Sequence, residues 1–355
     1  MNDSSLGSPV ATRSILSIDD AALPLYCGVD VGGTSIKIGL VDRAGRTIAY
    51  DKIATEEQRG PTDAIARIST AVECLIRKSG ATWTQVVAIG LGTPGSMDIP
   101  RGMVLAPPNL PHWVNFPIRD ALSRACDRPV VFSNDANAAA YGEFWIGAGQ
   151  QHNSLIMLTL GTGVGGGIIV DGTAVEGTNS FGAEVGHILI DTRADARCCV
   201  WGGGRGQLEA YASASAVTAR TTEALSAHPQ SSLHRRLQSG DALSPLMICE
   251  EAELGDSFAL EIILETARYL GLGIVTLVHT LDPGLVILGG AMNFGGESTT
   301  IGKRFLEQIK QEFESRAFDV VIRGTTIGFA SLGGDAGYIG AAGLAQKAHP
   351  KQHQD

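Results

Sequence analysis

Long apolar runs are missing from this sequence of 355 residues. No stretch of about eighteen apolar residues escapes a charge or a glycine, so no membrane-spanning helix is expected. The first residues, MNDSSLGSPVATRSILSIDD, lack a basic segment ahead of an apolar core, which excludes a secretory signal. Positive charge is also in short supply. Against 27 Lys and Arg stand 37 Asp and Glu, a formal net charge of −10. Nucleic-acid partners demand a basic face, so none is expected. Six cysteines are too few for a dense disulfide framework, and they imply a reducing, cytoplasmic setting. None of these shortages excludes a phosphate ligand, because backbone N–H groups, a helix N-terminus and a metal ion can hold one locally.

Glycine is abundant, at 45 residues, and it clusters where strands should turn. With 44% hydrophobic and 18% charged residues, the chain has the makings of two globular domains. A polar tail, residues 1–22, is expected to be flexible. Leu25–Asp42 reads as strand, glycine turn, strand, and Thr47–Ala54 as a third strand. In Pro61–Ser79 the apolar residues Ile65, Ile68, Val72, Leu75 and Ile76 fall on one helical face, with Gly80 placed to end the helix. Short strands follow at Val86–Leu91 and Pro129–Phe132, and an alanine-rich helix after Asp135. Then the opening pattern recurs, as Leu155–Val170 again reads strand, glycine turn, strand. Further elements are expected as a helix over Phe258–Leu281, a strand over Leu285–Leu288, a helix over Ile301–Ser315, a strand over Val320–Ile322 and a helix near Ala336–Lys347. This weak internal repeat, with strands and helices alternating in both halves, predicts two α/β layers with a cleft between them. The boundaries drawn are 23–133 plus 336–349 for a smaller domain and 134–335 for a larger one.

Asp30-Val31-Gly32-Gly33-Thr34 has two readings. Glycine is the default residue of a hairpin turn. Glycines also let backbone N–H groups approach phosphate oxygens closely, with the Thr34 hydroxyl as a further donor. Asp30 would repel phosphate and makes sense beside Mg²⁺, through water; Lys37 follows on the next strand. Gly161-Thr162-Gly163 repeats the chemistry, and the pair in matching context favours the phosphate reading. Neither loop is a P-loop, which ends in Gly-Lys-Ser/Thr on a helix. Gly289-Gly290, after a strand, is a third candidate contact, near the adenosine. Asn134-Asp135 stands at a strand end before a helix. Either residue could cap that helix, or Asp135 could serve as a base that accepts a hydroxyl proton during phosphoryl transfer, with Asn134 on a neighbouring hydroxyl.

Taken in order, several motifs resemble the ROK family of sugar kinases and related regulators, within the actin/hexokinase superfamily. They are Asp30-Val-Gly-Gly-Thr34, Gly92-Thr-Pro-Gly95, Asn134-Asp-Ala-Asn-Ala138, Leu160-Gly-Thr-Gly-Val-Gly-Gly-Gly167, Glu184-Val-Gly-His187, Leu288-Gly-Gly290 and Asp335-Ala-Gly-Tyr-Ile-Gly-Ala-Ala342. The likeness spans Cys27 to Ala345. It implies a two-domain actin-like (ribonuclease H-like) fold with an interdomain cleft, ATP with Mg²⁺ as donor, and Asp135 as catalytic base. It also implies sugar contacts by Gly95, Asn109, Asn134, Asp135, Glu184, His187 and Glu209, and a homodimer. Glucose, phosphorylated at its 6-hydroxyl, is the expected acceptor. N-acetylmannosamine, N-acetylglucosamine, fructose and allose are alternatives, as is polyphosphate for the donor. Regulators of the family carry an N-terminal winged helix, for which the residues before Leu25 leave no room, so a sugar-sensing regulator is the less favoured reading.

One departure stands out. Members often bind zinc through the motif His and three cysteines in a Cys-x-Cys-Gly-x-x-Gly-Cys-x-Glu run. Anchored on Gly206-x-x-Glu209, this sequence has Val200, Gly202 and Gln207 at those positions. Cys198 and Cys199 are adjacent and out of register, so no structural zinc is expected.

Overall fold

The computed structural model describes residues 14–200 and 204–350. Its strands are β1 (Leu25–Val31), β2 (Ser35–Val41), β3 (Thr47–Ala54), β4 (Val86–Thr93), β5 (Ser96–Asp98), β6 (Met103–Ala106), β7 (Val130–Asn134), β8 (Leu155–Leu160), β9 (Val164–Val170), β10 (Thr173–Ala174), β11 (Leu285–Gly289) and β12 (Thr326–Phe329). One sheet runs β3-β2-β1-β4-β7 and another β10-β9-β8-β11-β12. Each therefore places its own third, second, first, fourth and fifth strands in the same spatial order. In the first sheet β1, β2 and β3 pair antiparallel, then β4 and β7 join parallel to β1. In the second, β11 joins β8 in parallel and β12 joins β11 in parallel. The repeat that was faint in the glycine pattern is plain in the topology.

By contacts the chain forms two bodies. Among the described residues the first comprises 14–152, 167–183 and 334–350, and the second 153–166 and 184–333. The expected division at residue 134 is thus displaced. The helix Asp135–Ile146 belongs to the first body, because its alanines and glycines pack against the helix Ala336–Ala348. The expected flexible tail also changes. Residues 1–13 lie outside the described residues, but Leu16 N–H bonds to Thr47 O at 2.8 Å and Ala22 N–H to Asp42 Oδ2 at 3.1 Å. Leu16 and Ile18 lie against the first body's core, so apolar burial anchors this stretch.

In the first body β1 is buried along its length except at Asp30, as suits a central strand covered on both faces. The helix Gly60–Lys78 has Pro61 in its first turn and buries Ala64, Ile65, Ile68, Ala71, Val72, Leu75 and Ile76 as one stripe. Gly80, at φ +76°, follows its end. The helix Ala336–Ala348 comes so near the sheet that side chains must be absent where they meet. A Cβ on Gly28 would collide with the Tyr338 carbonyl, and one on Gly90 with the Ala341 carbonyl.

In the second body the helix Ser257–Leu281 begins at Asp256, whose side chain accepts from Phe258 N–H and Ala259 N–H. The strand expected over Val320–Ile322 is instead part of a helix, Asp319–Gly324, with Val320 exposed. The ladder partner of β11 is β12, four residues on, and there Ile327 is buried. Three consecutive apolar residues mimicked a buried strand without being one. No helix among the described residues is long and apolar enough to cross a membrane.

Gly90→Ala should destabilise the protein by at least about 1–3 kcal/mol, since the Cβ would force the helix off the sheet. Gly324→Ala, where no protein atom lies within 4 Å of the added carbon, should stay within about 0.5 kcal/mol of the parent. Urea denaturation of the two variants measures both.

Candidate functional site

In the first body, the turn between β1 and β2 closes with Gly32 N–H on Ser35 O at 3.0 Å. Thr55 secures it from outside, its Oγ1 donating to Gly32 O at 2.6 Å and its N–H to Thr34 O at 2.9 Å. Gly33 and Thr34 are exposed. The Cβ of Asn109 lies 3.3 Å from where a Cβ on Gly33 would stand, so the loop that carries Asn109 backs this turn. Asp30 and Lys37 face each other across the ladder, 3.7 Å apart, and Lys37 Nζ also donates to Gly334 O at 2.8 Å. Burial pushes the Asp30 carboxyl above the ordinary aspartate value, and the Lys37 ammonium opposes that rise.

Strand β4 ends beside β7 with Thr93 opposite Asn134. Gly95, just beyond, has φ +84° and lies against Pro107, so both backbone and packing require glycine there. Asn134 caps the following helix, with Oδ1 accepting from Ala136 N–H at 2.9 Å and Asn137 N–H at 3.3 Å. That use of the carbonyl oxygen leaves the Asn134 amide nitrogen outside the cap. Asp135 is the first helical residue, half-buried, and its Oδ1 accepts from Ala136 N–H at 2.9 Å. Of the two capping candidates in the sequence, Asn134 takes that role and Asp135 is set one residue further in. Nearby, the buried oxygens Thr93 Oγ1 and Asn137 Oδ1 have no partner among the described residues. Buried polar atoms of this kind call for a water or a ligand group, and no sequence pattern announces them.

The second body carries the other glycine loop. Gly161 N–H bonds to Gly163 O at 3.0 Å, and the helix Ala214–Ala224 is tied to the loop by Ala214 N–H on Gly161 O and Ser215 Oγ on Thr162 O, both 2.9 Å. No protein atom lies within 4 Å of a Cβ built on Gly161, and its φ is outside the left-handed region. Neither packing nor backbone strain demands glycine at 161, as is also true of Gly324 and Gly328. Gly290 differs. Its φ is +91° and an added Cβ would strike the Leu160 backbone, so the fold itself demands this glycine.

Glu184, His187 and Glu209 also lie in this body. His187 Nε2 is 3.9 Å from Glu184 Oε2. Partial burial raises the Glu184 carboxyl above the ordinary glutamate value; His187 opposes the rise and the Glu209 charge adds to it. Glu209 is buried, with Oε2 accepting from Val164 N–H at 2.9 Å and Oε1 from Cys199 Sγ at 2.8 Å. His187 Nδ1 meets Gln207 Oε1 at 3.2 Å. The contacts of Gln207 and Cys199 were invisible in the sequence, where both residues registered only as departures from a motif. Among the described residues, no three His, Cys, Asp or Glu side chains are grouped to hold a metal ion.

The model of the ROK family matches residues 26–348. The chain belongs to the ROK family. A glucokinase of Halalkalibacterium halodurans is 34% identical over 91% of this chain and 95% of its own length. The crystal structure of a ROK family glucokinase from Streptomyces griseus in complex with glucose and AMPPNP is 34% identical, with a TM-score of 0.69, covering 91% of this chain and 99% of that one. A xylose repressor of Caldicellulosiruptor bescii is 31% identical over 82% of this chain and 70% of its own length. The actin-like fold expected of the family is the fold this ROK chain has.

A proton binds more tightly to Asp30 in the folded protein than in the unfolded one. The stability this group contributes is therefore complete below the ordinary aspartate value of 3.8 and is lost as pH rises through its raised folded value. Asp30→Asn should melt above the parent at neutral pH, with the gap closing as the pH falls below 3.8. Calorimetric melting across pH checks the sign.

Proposed function

We propose that this ROK protein is an ATP-dependent hexose kinase that phosphorylates the 6-hydroxyl of glucose. The observation that carries the reading is Asp135, a half-buried carboxylate on the first residue of a helix, fixed by the end of β7 and flanked by the Asn134 cap. In this reading Asp135 accepts the proton of the attacking hydroxyl. The hydroxyl oxygen bonds to the γ-phosphorus of ATP, the bond from that phosphorus to the β-γ bridging oxygen breaks, and ADP leaves. The N–H groups of Gly32 and Gly161 close the two glycine turns on Ser35 O and Gly163 O, and in this reading the remaining N–H groups of the turns, with the exposed Gly33, Thr34 and Thr162, serve the phosphates.

Mg²⁺ enters with ATP as part of the donor. When bound it would neutralise charge on the phosphates, and Asp30 is the carboxylate beside the first glycine turn that would help hold it. Lys37 keeps Asp30 in place and tempers its charge. Gly95, Asn109, Asn134, Glu184, His187 and Glu209 are assigned to the sugar. Hydroxyls donate and accept at once, and carboxylates, amides and imidazole meet both needs. Gly289 and Gly290 remain with the adenosine in this reading. Glucose and ATP are favoured over other hexoses and polyphosphate by the glucokinase relatives and by the Streptomyces griseus enzyme, whose structure holds glucose and an ATP analogue.

A coupled assay across glucose, mannose, fructose, allose and the two N-acetyl sugars, run with ATP and with polyphosphate, should give the highest kcat/KM for glucose with ATP. Asp135→Asn should lower kcat about 10²–10⁴-fold, with glucose binding still detectable by calorimetry. Turnover close to that of the parent in this variant would remove Asp135 from the mechanism.

A further inference from the structure

His187 and Glu209 sit in the second body beside the segment that carries a zinc site in many members of the family, and the residues here do not fit zinc. Val200 is an exposed hydrocarbon side chain. Gly202 lies outside the described residues and has no side chain to offer. The two cysteines diverge, Cys198 lying exposed while Cys199 is buried with its Sγ on Glu209 Oε1. Gln207, at the third cysteine's position, spends its amide oxygen on His187 Nδ1. Zinc wants four soft or imidazole donors around one point, and these side chains are turned to other partners.

We infer that Gln207 and Cys199 replace the metal as positioning residues, holding His187 and Glu209 for the sugar in a site that works without structural zinc. The inference rests on the hexose-kinase reading for what the two held residues touch. An amide oxygen can only accept, so with Gln207 Oε1 against it Nδ1 carries the imidazole proton. Nε2 is then turned away from Gln207, on the side of Glu184 and 3.9 Å from its Oε2, where it is left to meet a sugar hydroxyl.

Glu209 is held at both oxygens, by the Cys199 thiol and by the N–H of Val164, the residue that opens β9 just after the second glycine loop. Its carboxylate therefore cannot swing without breaking a bond to one of them. The backbone around this pair is braced without a metal. Leu189 bridges Gln207, Ile190 N–H and Asp191 N–H bond to Gly206 O, and Leu208 N–H bonds to Ile188 O at 3.0 Å. Tyr211 OH donates to Asp191 Oδ2 at 2.6 Å, and Arg197 forks onto Glu223 at 2.6 and 2.9 Å. These bonds tie residues 188–191 and 197 to 206–211 and to the helix that follows.

The experiment compares the full-length parent with Gln207→Met, Gln207→Glu and Cys199→Ala. Gln207→Met keeps the length but loses the acceptor, and should raise the KM for glucose about tenfold with the KM for ATP and the melting temperature unchanged. Gln207→Glu keeps an acceptor and should restore the parent's KM for glucose. Cys199→Ala should raise the KM for glucose as well. Nitrogen-15 NMR of the parent should show His187 protonated at Nδ1, with a mixed population in Gln207→Met. The purified parent should hold substoichiometric zinc and keep its melting temperature in a chelator. One equivalent of zinc per chain with a chelator-sensitive melt, or a Gln207→Met variant with the parent's tautomer and KM, overturns the inference. A parent that phosphorylates no sugar defeats the kinase reading instead, and the tautomer and metal content still decide this one.

Discussion

The first body depends on backbone meeting backbone. The helix Ala336–Ala348 touches β1 at Gly28 and β4 at Gly90, and it touches the helix Asp135–Ile146 where Gly340 lies against the Ala138 carbonyl and Gly142 against Ala336. At such separations even a methyl group is too large, and interiors packed to crystal-like density relax little around an intruding carbon. The chemistry inherits this rigidity. Asp135 opens one of the two helices so clasped, and the strand before it is locked to β4 in parallel register. In the proposed reading, where Asp135 must meet one proton at one place, such a mount matters because small misplacements are costly in catalysis.

The sequence disclosed the elements whose physics is local. Both hairpins carry their apolar runs and their glycine turns together, and the helix Gly60–Lys78 carries its stripe, its Pro61 and its closing Gly80 in one window. Asp135 was legible because a strand end followed by a helix start is a local event. What failed was tertiary. Val320-Val321-Ile322 has the look of a buried strand, yet only packing decides that Ile327 takes the place beside β11. The stretch 14–22 is polar enough to look loose, yet hydrogen bonds to Asp42, Arg43, Arg46 and Thr47 and the apolar anchors Leu16, Ile18 and Ala21 hold it. Gln207 and Cys199 could be seen to depart from a metal motif, but nothing in one dimension says that the amide finds His187 and the thiol finds Glu209.

Glycines in this protein answer to different masters, and separating them sharpens the functional assignment. Gly28, Gly90 and Gly290 are fixed by the fold, since protein atoms already fill the space beside them. Gly95 is fixed twice, by its left-handed backbone and by Pro107. Gly161 is fixed by neither, and in the proposed reading the open space beside it receives phosphate. The weak candidate among the three glycine sites in the sequence, Gly289-Gly290, is also the one whose second glycine has an internal explanation.

The position of the helix Ala336–Ala348 along the chain bears on how the protein comes to be made. The first body draws on residues from both ends of the described chain, whereas the second is nearly one continuous stretch. On the ribosome the strands β1, β4 and β7 emerge early and must wait, with the glycine-lined face of β1 and β4 uncovered, until the helix Ala336–Ala348 is translated. Chains are made at about 5–20 residues per second and domains tend to fold as units as they appear. The second body can therefore settle first, although it comes later in the sequence, and the body that carries Asp135 closes only once the helix Ala336–Ala348 has emerged.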